Sequence, residues 1–446
     1  MTRHDLGSMV LLTCLASSLV ACGGTSPSGE DDSARLAAGG ESALGLEELA
    51  LRAISDDPQL AEPAIAALRA AGPRGHQALV ARHGWTLEVL RQSPPSTLDP
   101  SHERLRHAMD VVSGQRDGHA SGLYWYTDLG EAEREARARG VPILSLRLLG
   151  RLDEEMSCAN SRYFRLVLYP NRALSSYLRE HYVLHWSSER PVPRITIDMG
   201  DGRRLERTIT GNSIHYVLDA DGRVIDALPG LAGPREMLSF VTAAAEAYGD
   251  EDDREGRIAA YLAREQQTVG SALEAARAMF PAIATPRPGG ARLPSALEAM
   301  PLTVSKVRVE APMLDALRAP GVDPVDRGPI DWTRVGLEAY GLETSTIFDD
   351  TSRALLRLKT GRDDASSAEM VEALSRTVVG DTARNRATFR LVVLSWLTSA
   401  RGDGELRPSL EVLNERVYRE MFLTPASDPW LGLQDPTVWD AIERIH

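Results

Sequence analysis

Residues 123–248 constrain the fold most, because the hydrophobic period changes repeatedly along them. "GLYWYTDLGEAEREARARGVPILSLRLLG" predicts an extended segment, a helix and then a buried strand. "SSYLREHYVLHWSS" predicts a helix end followed by a strand. "RITIDMGDGRRLERTITG" alternates about a turn at Asp201-Gly202, and "SIHYVLDADGRVIDALPG" predicts two strands joined at Asp221-Gly222. "GPREMLSFVTAAAEAY" closes the run with a helix. Helices that alternate with strands and end in a hairpin and a helix call for an α/β layer structure.

The flanks are helical. Over 46–115 apolar residues recur at three- to four-residue spacing, with Pro63 expected near a helix start and Gly72-Pro73 as a break. The region weakly resembles a HEAT-like helix pair. Only two units are visible, where stable solenoids stack three or more, so a small helical cap is expected. Residues 251–446 predict a mainly helical C-terminal domain, with a Pro- and Gly-rich extended strap over 281–328. Three helices follow the strap. Ser366 and Glu369 suggest a capping box for the first, and the second carries Phe389, Val392, Val393 and Trp396 on its apolar side. The Trp-, Pro- and Leu-rich end is expected to pack into a groove, with a recognition surface as the alternative.

The N-terminus gives an address. Residues 1–21 have a short polar start and an apolar run of secretory-signal length, too short to span a bilayer. Leu19-Val20-Ala21-Cys22 resembles the bacterial lipobox, which implies lipidation of Cys22 and an envelope lipoprotein held to a membrane by its acyl chains. Gly23 in place of an aspartate after Cys22 leans toward the outer membrane. Residues 22–45 are rich in Gly, Ser, Asp and Ala and predict a tether. A net charge of −13 argues against nucleic acid as a partner. Lys306 and Lys359 are the only lysines, a skew expected of a GC-rich bacterial genome.

On the lipobox resemblance Cys14 would leave with the signal and Cys22 would take lipid, which would make Cys158 the sole remaining thiol and rule out an intramolecular disulfide. Around it, Trp125 precedes "EAEREARARGVPILSL" with Pro142 ahead of a central strand, "CANS" occupies 158–161, and "ITGNSIHYVLDADGRVIDALPG" follows. With the element order, these pieces make 120–250 resemble a thioredoxin-like domain. The resemblance implies that Cys158 takes the first position of a CxxC motif, and that Ser161 replaces the second, resolving cysteine. Ser213 or Ile214 stands where the family has a proline. The approach at 149–157 is longer than usual.

Cys158 and Ser161 are therefore the candidate catalytic residues. At a helix N-terminus the thiol would be activated, with help from Arg162 and opposition from Asp153, Glu154 and Glu155. A CxxS thiol could form mixed disulfides but could not release them alone. Otherwise it is a buried small hydrophobe. His181, His185 and His215 are the histidines gathered in the α/β part, with His181 and His185 expected on one strand. Asp219 and Asp221 resemble the start of a calcium loop, but Arg223 at the fifth position makes a hairpin turn the expectation. No metal or cofactor is expected. The function expected is a membrane-tethered binding or scaffolding module with a protein partner. The alternative is a monothiol oxidoreductase or thiol-trapping protein using Cys158.

Overall fold

The computed structural model describes residues 45–92, 98–208, 211–249, 252–283, 330–402, 407–422 and 424–428. The signal sequence, Cys22, the tether up to residue 44, all of the strap beyond residue 283, and the end beyond Asp428 lie outside the described residues.

Helices α1 (Leu46–Arg52), α2 (Pro58–Ala70), α3 (Pro73–Gln92) and α4 (Pro100–Ser113) form the N-terminal layer. Pro63 does not mark a start: it lies inside α2, which begins at Pro58, where the Asp57 carboxylate accepts from the Gln59 N–H at 2.9 Å. Proline at the first helical position loses no hydrogen bond, and the aspartate satisfies an orphan donor, so this pair outweighs Pro63 as a signal. Asp99 caps α4 in the same way, accepting from the N–H of Ser101 and of His102. α3 is kinked at His83, whose ring nitrogen donates to the Ala50 carbonyl at 2.9 Å. Leu68, Leu79, Leu87, Leu105 and Met109 share a core between these helices, each at 1% exposure or less.

A single helical turn, Gly118–Ser121, leads to the extended Trp125 and Tyr126 and then to α5 (Leu129–Arg139), which is capped by Asp128 and ended by Gly140 in the left-handed region. Next come β1 (Ile143–Leu149), α6 (Ala159–Tyr163) with its π-turn continuation Phe164–Leu168, α7 (Arg172–His181) and β2 (Val183–Arg190). A separate antiparallel ribbon, β3 (Arg194–Asp198) and β4 (Arg204–Thr208), precedes β5 (Ser213–Leu218), β6 (Val224–Pro229) and α8 (Pro234–Tyr248). The main sheet runs β2-β1-β5-β6, with β1 parallel to β2 and antiparallel to β5, and β5 antiparallel to β6.

Register divides the sheet into two faces, because side chains paired across strands point the same way. Ser145, Tyr216 and His185 share one face; Leu146, His215 and Trp186 share the other. The α6 side covers the second face, where the Tyr169 hydroxyl bonds His215 Nε2 at 2.8 Å.

The C-terminal part contributes α9 (Arg254–Met279), α10 (Trp332–Glu338), α11 (Asp350–Thr360), α12 (Asp364–Asn385) with a π-turn at Arg386–Arg390, α13 (Leu391–Gly402) and α14 (Leu410–Arg416) with a π-turn at Val417–Met421. The capping box lies elsewhere than expected. Asp363 caps α12 and places Ser366 at the third position, while the reciprocal box joins Asp349 and Ser352 at the head of α11. α14 lies over the first face of the sheet, with Asn414 accepting from the Tyr216 hydroxyl at 3.1 Å. One apolar cluster runs from Trp125 and the strands through α9, α12, α13 and α14. Each fully buried large side chain there contributes about 1.5–3 kcal/mol.

Candidate functional site

The loop after β1 turns at Gly150, which has a positive φ, and delivers Cys158 to the N-cap of α6 in an extended conformation. Its Sγ accepts from the Ser161 N–H at 3.4 Å, so the sulfur does the work of a capping oxygen. The structure brings the two segments singled out in the sequence together. Asn160 Nδ2 donates to Ser213 Oγ at 2.7 Å, and a Cβ added to Gly211 would stand 3.1 Å from Asn160 Oδ1. Arg162 donates to Thr208 Oγ1 at 2.6 Å, and the Thr208 hydroxyl donates to the Ser157 carbonyl at 3.2 Å.

The assembled site is closed. Cys158, Asn160, Ser161 and Ser213 are all at 0% exposure. The segment after α14 lies across the loop that opens β5. The Tyr418 hydroxyl donates to the Asn212 carbonyl at 3.4 Å, Asn212 Nδ2 donates to Thr424 Oγ1 at 3.1 Å, and Arg190 holds the carbonyls of Thr424, Pro425 and Asp428. Ser161 contributes its backbone N–H to the sulfur; its hydroxyl is buried and makes no hydrogen bond among the described residues. The three acids upstream are paired with cations: Asp153 with Arg151, Glu154 with Arg151 and Arg194, and Glu155 with Arg116 and Lys359. A thiol so buried can exchange with a disulfide only after the residues covering it move aside.

The histidines do not converge. His181 ends α7 and is exposed, rather than sharing a strand with His185. His185 bonds the Ser145 hydroxyl through Nδ1 at 2.8 Å on one face of the sheet, and His215 bonds Tyr169 on the other. Burial drives both imidazoles down to about 3, so both are neutral. Among the described residues no group of three His, Cys, Asp or Glu could hold a metal ion. Asp219 Oδ1 accepts from the N–H of Asp221 and of Arg223, so this "DADG" is a hairpin turn.

Sequence reasoning missed a buried ionic hub beside the thiol loop. Asp117 stands at φ +62, one of two described non-glycine residues with positive φ, and is fully buried. Its Oδ2 meets Lys359 Nζ at 2.8 Å and Arg165 at 3.4 Å. Burial raises the Asp117 pKa, but Lys359 and then Arg165 outweigh it and hold the carboxyl below the usual range. Asp110, which accepts from the Gly118 N–H and from Arg116, is pushed up to about 7, first by burial and then by the Asp117 charge. Glu155 of the thiol loop joins through Arg116 and Lys359, so the hub ties α4, that loop and α11 together. The signal available was composition: one of only two lysines sits at its centre.

No protein family, curated protein or solved structure matches this chain.

Proposed function

We propose that this chain is a membrane-tethered envelope lipoprotein whose 120–250 region is a degenerate thioredoxin-like module used for protein contacts. The observation that carries this reading is Cys158 capping α6 at 0% exposure. The β2-β1-β5-β6 order supports a thioredoxin-like core. It joins a parallel pair with the thiol between its strands to an antiparallel hairpin and a closing helix. The anchor in this reading is the lipid on Cys22, and the resolving position is filled by Ser161. A sealed monothiol favours scaffolding over the alternative, thiol exchange through Cys158, because the attacking group must be both ionised and reachable.

The test is alkylation of the full chain carrying Cys14→Ser and Cys22→Ser, which leaves one thiol. Labelling confined to the unfolded protein is the expected result. Rapid labelling of the native chain near neutral pH would sink the scaffolding reading and favour the monothiol oxidoreductase.

A further inference from the structure

A cleft of about 450 Å³ opens where the C-terminal end of α2 meets the extended segment before α5. Its walls include Ala70 and Ala71 at that helix end, Tyr124 and Tyr126, and Glu131 and Glu135 on the first turns of α5. This volume is within the range of small-ligand sites.

Two features of the walls favour positive charge. The two tyrosine rings meet edge to face at 5.0 Å, presenting aromatic surface that attracts cations. The negative end of α2 reaches the wall at Ala70 and Ala71, but the positive end of α3 reaches it at Pro73, so the helix ends give no net preference. Glu131 and Glu135, four residues apart on α5, add carboxylates.

Arg69 and Arg139 are committed elsewhere, while Arg134, which also lines the cleft, is held only loosely. Arg69 stacks over Tyr124 at 4.8 Å and donates to the Val112 and Trp125 carbonyls at 3.0 and 2.9 Å. Arg134, mostly exposed at the rim, lies 3.9 Å from Glu131. Arg139 is bound to the carbonyls of Arg179, Glu180 and Tyr182. Glu135 forms no ion pair among the described residues. Tyr126 lines the cleft and is only 9% exposed, and its hydroxyl has no hydrogen-bond partner among the described residues. Burial raises the Tyr126 pKa and the Glu135 and Glu131 charges raise it further, whereas at Tyr124 the Arg69 charge lowers it ahead of either glutamate, so the negative potential falls on Tyr126.

We infer that this cleft binds a cationic nitrogen, an alkylammonium or guanidinium group, between the Glu135 carboxylate, the Tyr126 hydroxyl and the tyrosine faces. The group can come from a free amine or from a lysine or arginine side chain of another protein. The site is separate from the thiol loop, and its test does not depend on what Cys158 does.

The experiment is fluorine NMR of the full chain in detergent with fluorotyrosine incorporated, the Tyr126 signal being assigned by its loss in Tyr126→Phe. Butylammonium, a blocked lysine peptide and a blocked arginine peptide are titrated against butyrate as the anionic control. Saturable shifts of the Tyr126 signal are expected with at least one cation and none with butyrate. Glu135→Gln should weaken binding about tenfold, the loss expected for one charge-assisted hydrogen bond. Binding by butylammonium as strong as by the peptides would identify a free amine as the source; binding by the peptides alone would identify a basic side chain of a protein. No saturable shift with any cation, an equal shift with butyrate, or undiminished binding in Glu135→Gln would each overturn the assignment.

Discussion

Asp226 on β6 and Arg390 in the π-turn after α12 form a two-pronged ion pair closed to solvent, with Nη2 and Oδ2 at 2.6 Å and exposures of 0% and 5%. The Tyr261 hydroxyl of α9 donates to the same Oδ2 at 2.6 Å, and Arg390 also donates to the Ala227 carbonyl at 2.9 Å. The pair pins the sheet edge to two C-terminal helices. Breaking a buried pair from one side strands the other charge, which costs more than the pair contributes. Arg390→Leu should therefore destabilise by about 3–5 kcal/mol. Tyr261→Phe, which removes a single donor, should cost about 1–2 kcal/mol. Urea unfolding measures both, and a loss under about 1 kcal/mol for Arg390→Leu would contradict the account.

Four buried histidines make the fold acid-sensitive. Burial lowers His76 to about 4 and His119, His185 and His215 to about 3, against about 6.5 in an unfolded chain. The unfolded state then binds more protons below pH 6.5, so the stabilisation is full above that pH and is lost as pH falls toward 4. Each group steepens the loss by at most about 1.4 kcal/mol per pH unit. His119 isolates the effect, since neither of its ring nitrogens has a partner among the described residues. His119→Leu should change stability little at pH 7.5 and should flatten the melting-temperature profile between pH 6.5 and 4.5. A variant profile as steep as the parent's would contradict this.

Asp110 acts with the opposite sign. Its folded pKa, raised to about 7, means that ionisation is disfavoured in the native state. Its stabilisation is complete below the ordinary carboxylate pKa and is lost as pH rises through 7. Asp110→Asn should gain on the parent as pH rises from 4 to 8, by about 1–3 kcal/mol after allowance for the lost pairing with Arg116. Parallel stability profiles for the two proteins would show that Asp110 does not titrate in this range.

Local chemistry was legible in the sequence; what covers each surface was not. Alternation and the Asp-Gly turns marked the ribbon at 201–202 and the hairpin at 221–222, because strand period and turn preference are properties of a few adjacent residues. The pairing of Asn160 with Ser213 was not read, since the resemblance only placed Ser213 or Ile214 where the family has a proline. Nor was closure of the thiol site, because Asn212 meets Thr424 across 212 residues and no local pattern encodes that contact. Asp226 left a trace that went unread. A carboxylate flanked by Ile225 and Ala227 in the middle of a strand requires a buried partner, but the sequence does not say that Arg390 supplies it.

Gly230 ends β6 at φ +74, where a Cβ would stand 2.5 Å from Asn385 Nδ2. That amide is not free to withdraw, since it donates to the Leu231 carbonyl at 2.8 Å. The Gly230 N–H in turn bonds the Ser213 carbonyl at 2.8 Å, so the backbone there is tied to the β5 residue that holds Asn160. Gly230→Ala combines left-handed strain with a clash and should cost about 2–4 kcal/mol. Asn385→Ala removes the clashing atom while leaving the strain. The double variant should therefore lose clearly less than the sum of the two single losses, by about 1 kcal/mol or more in a double-mutant cycle. Strict additivity would mean that Asn385 does not constrain Gly230, and a loss below about 0.5 kcal/mol for Gly230→Ala alone would mean that the backbone relaxes out of the left-handed region.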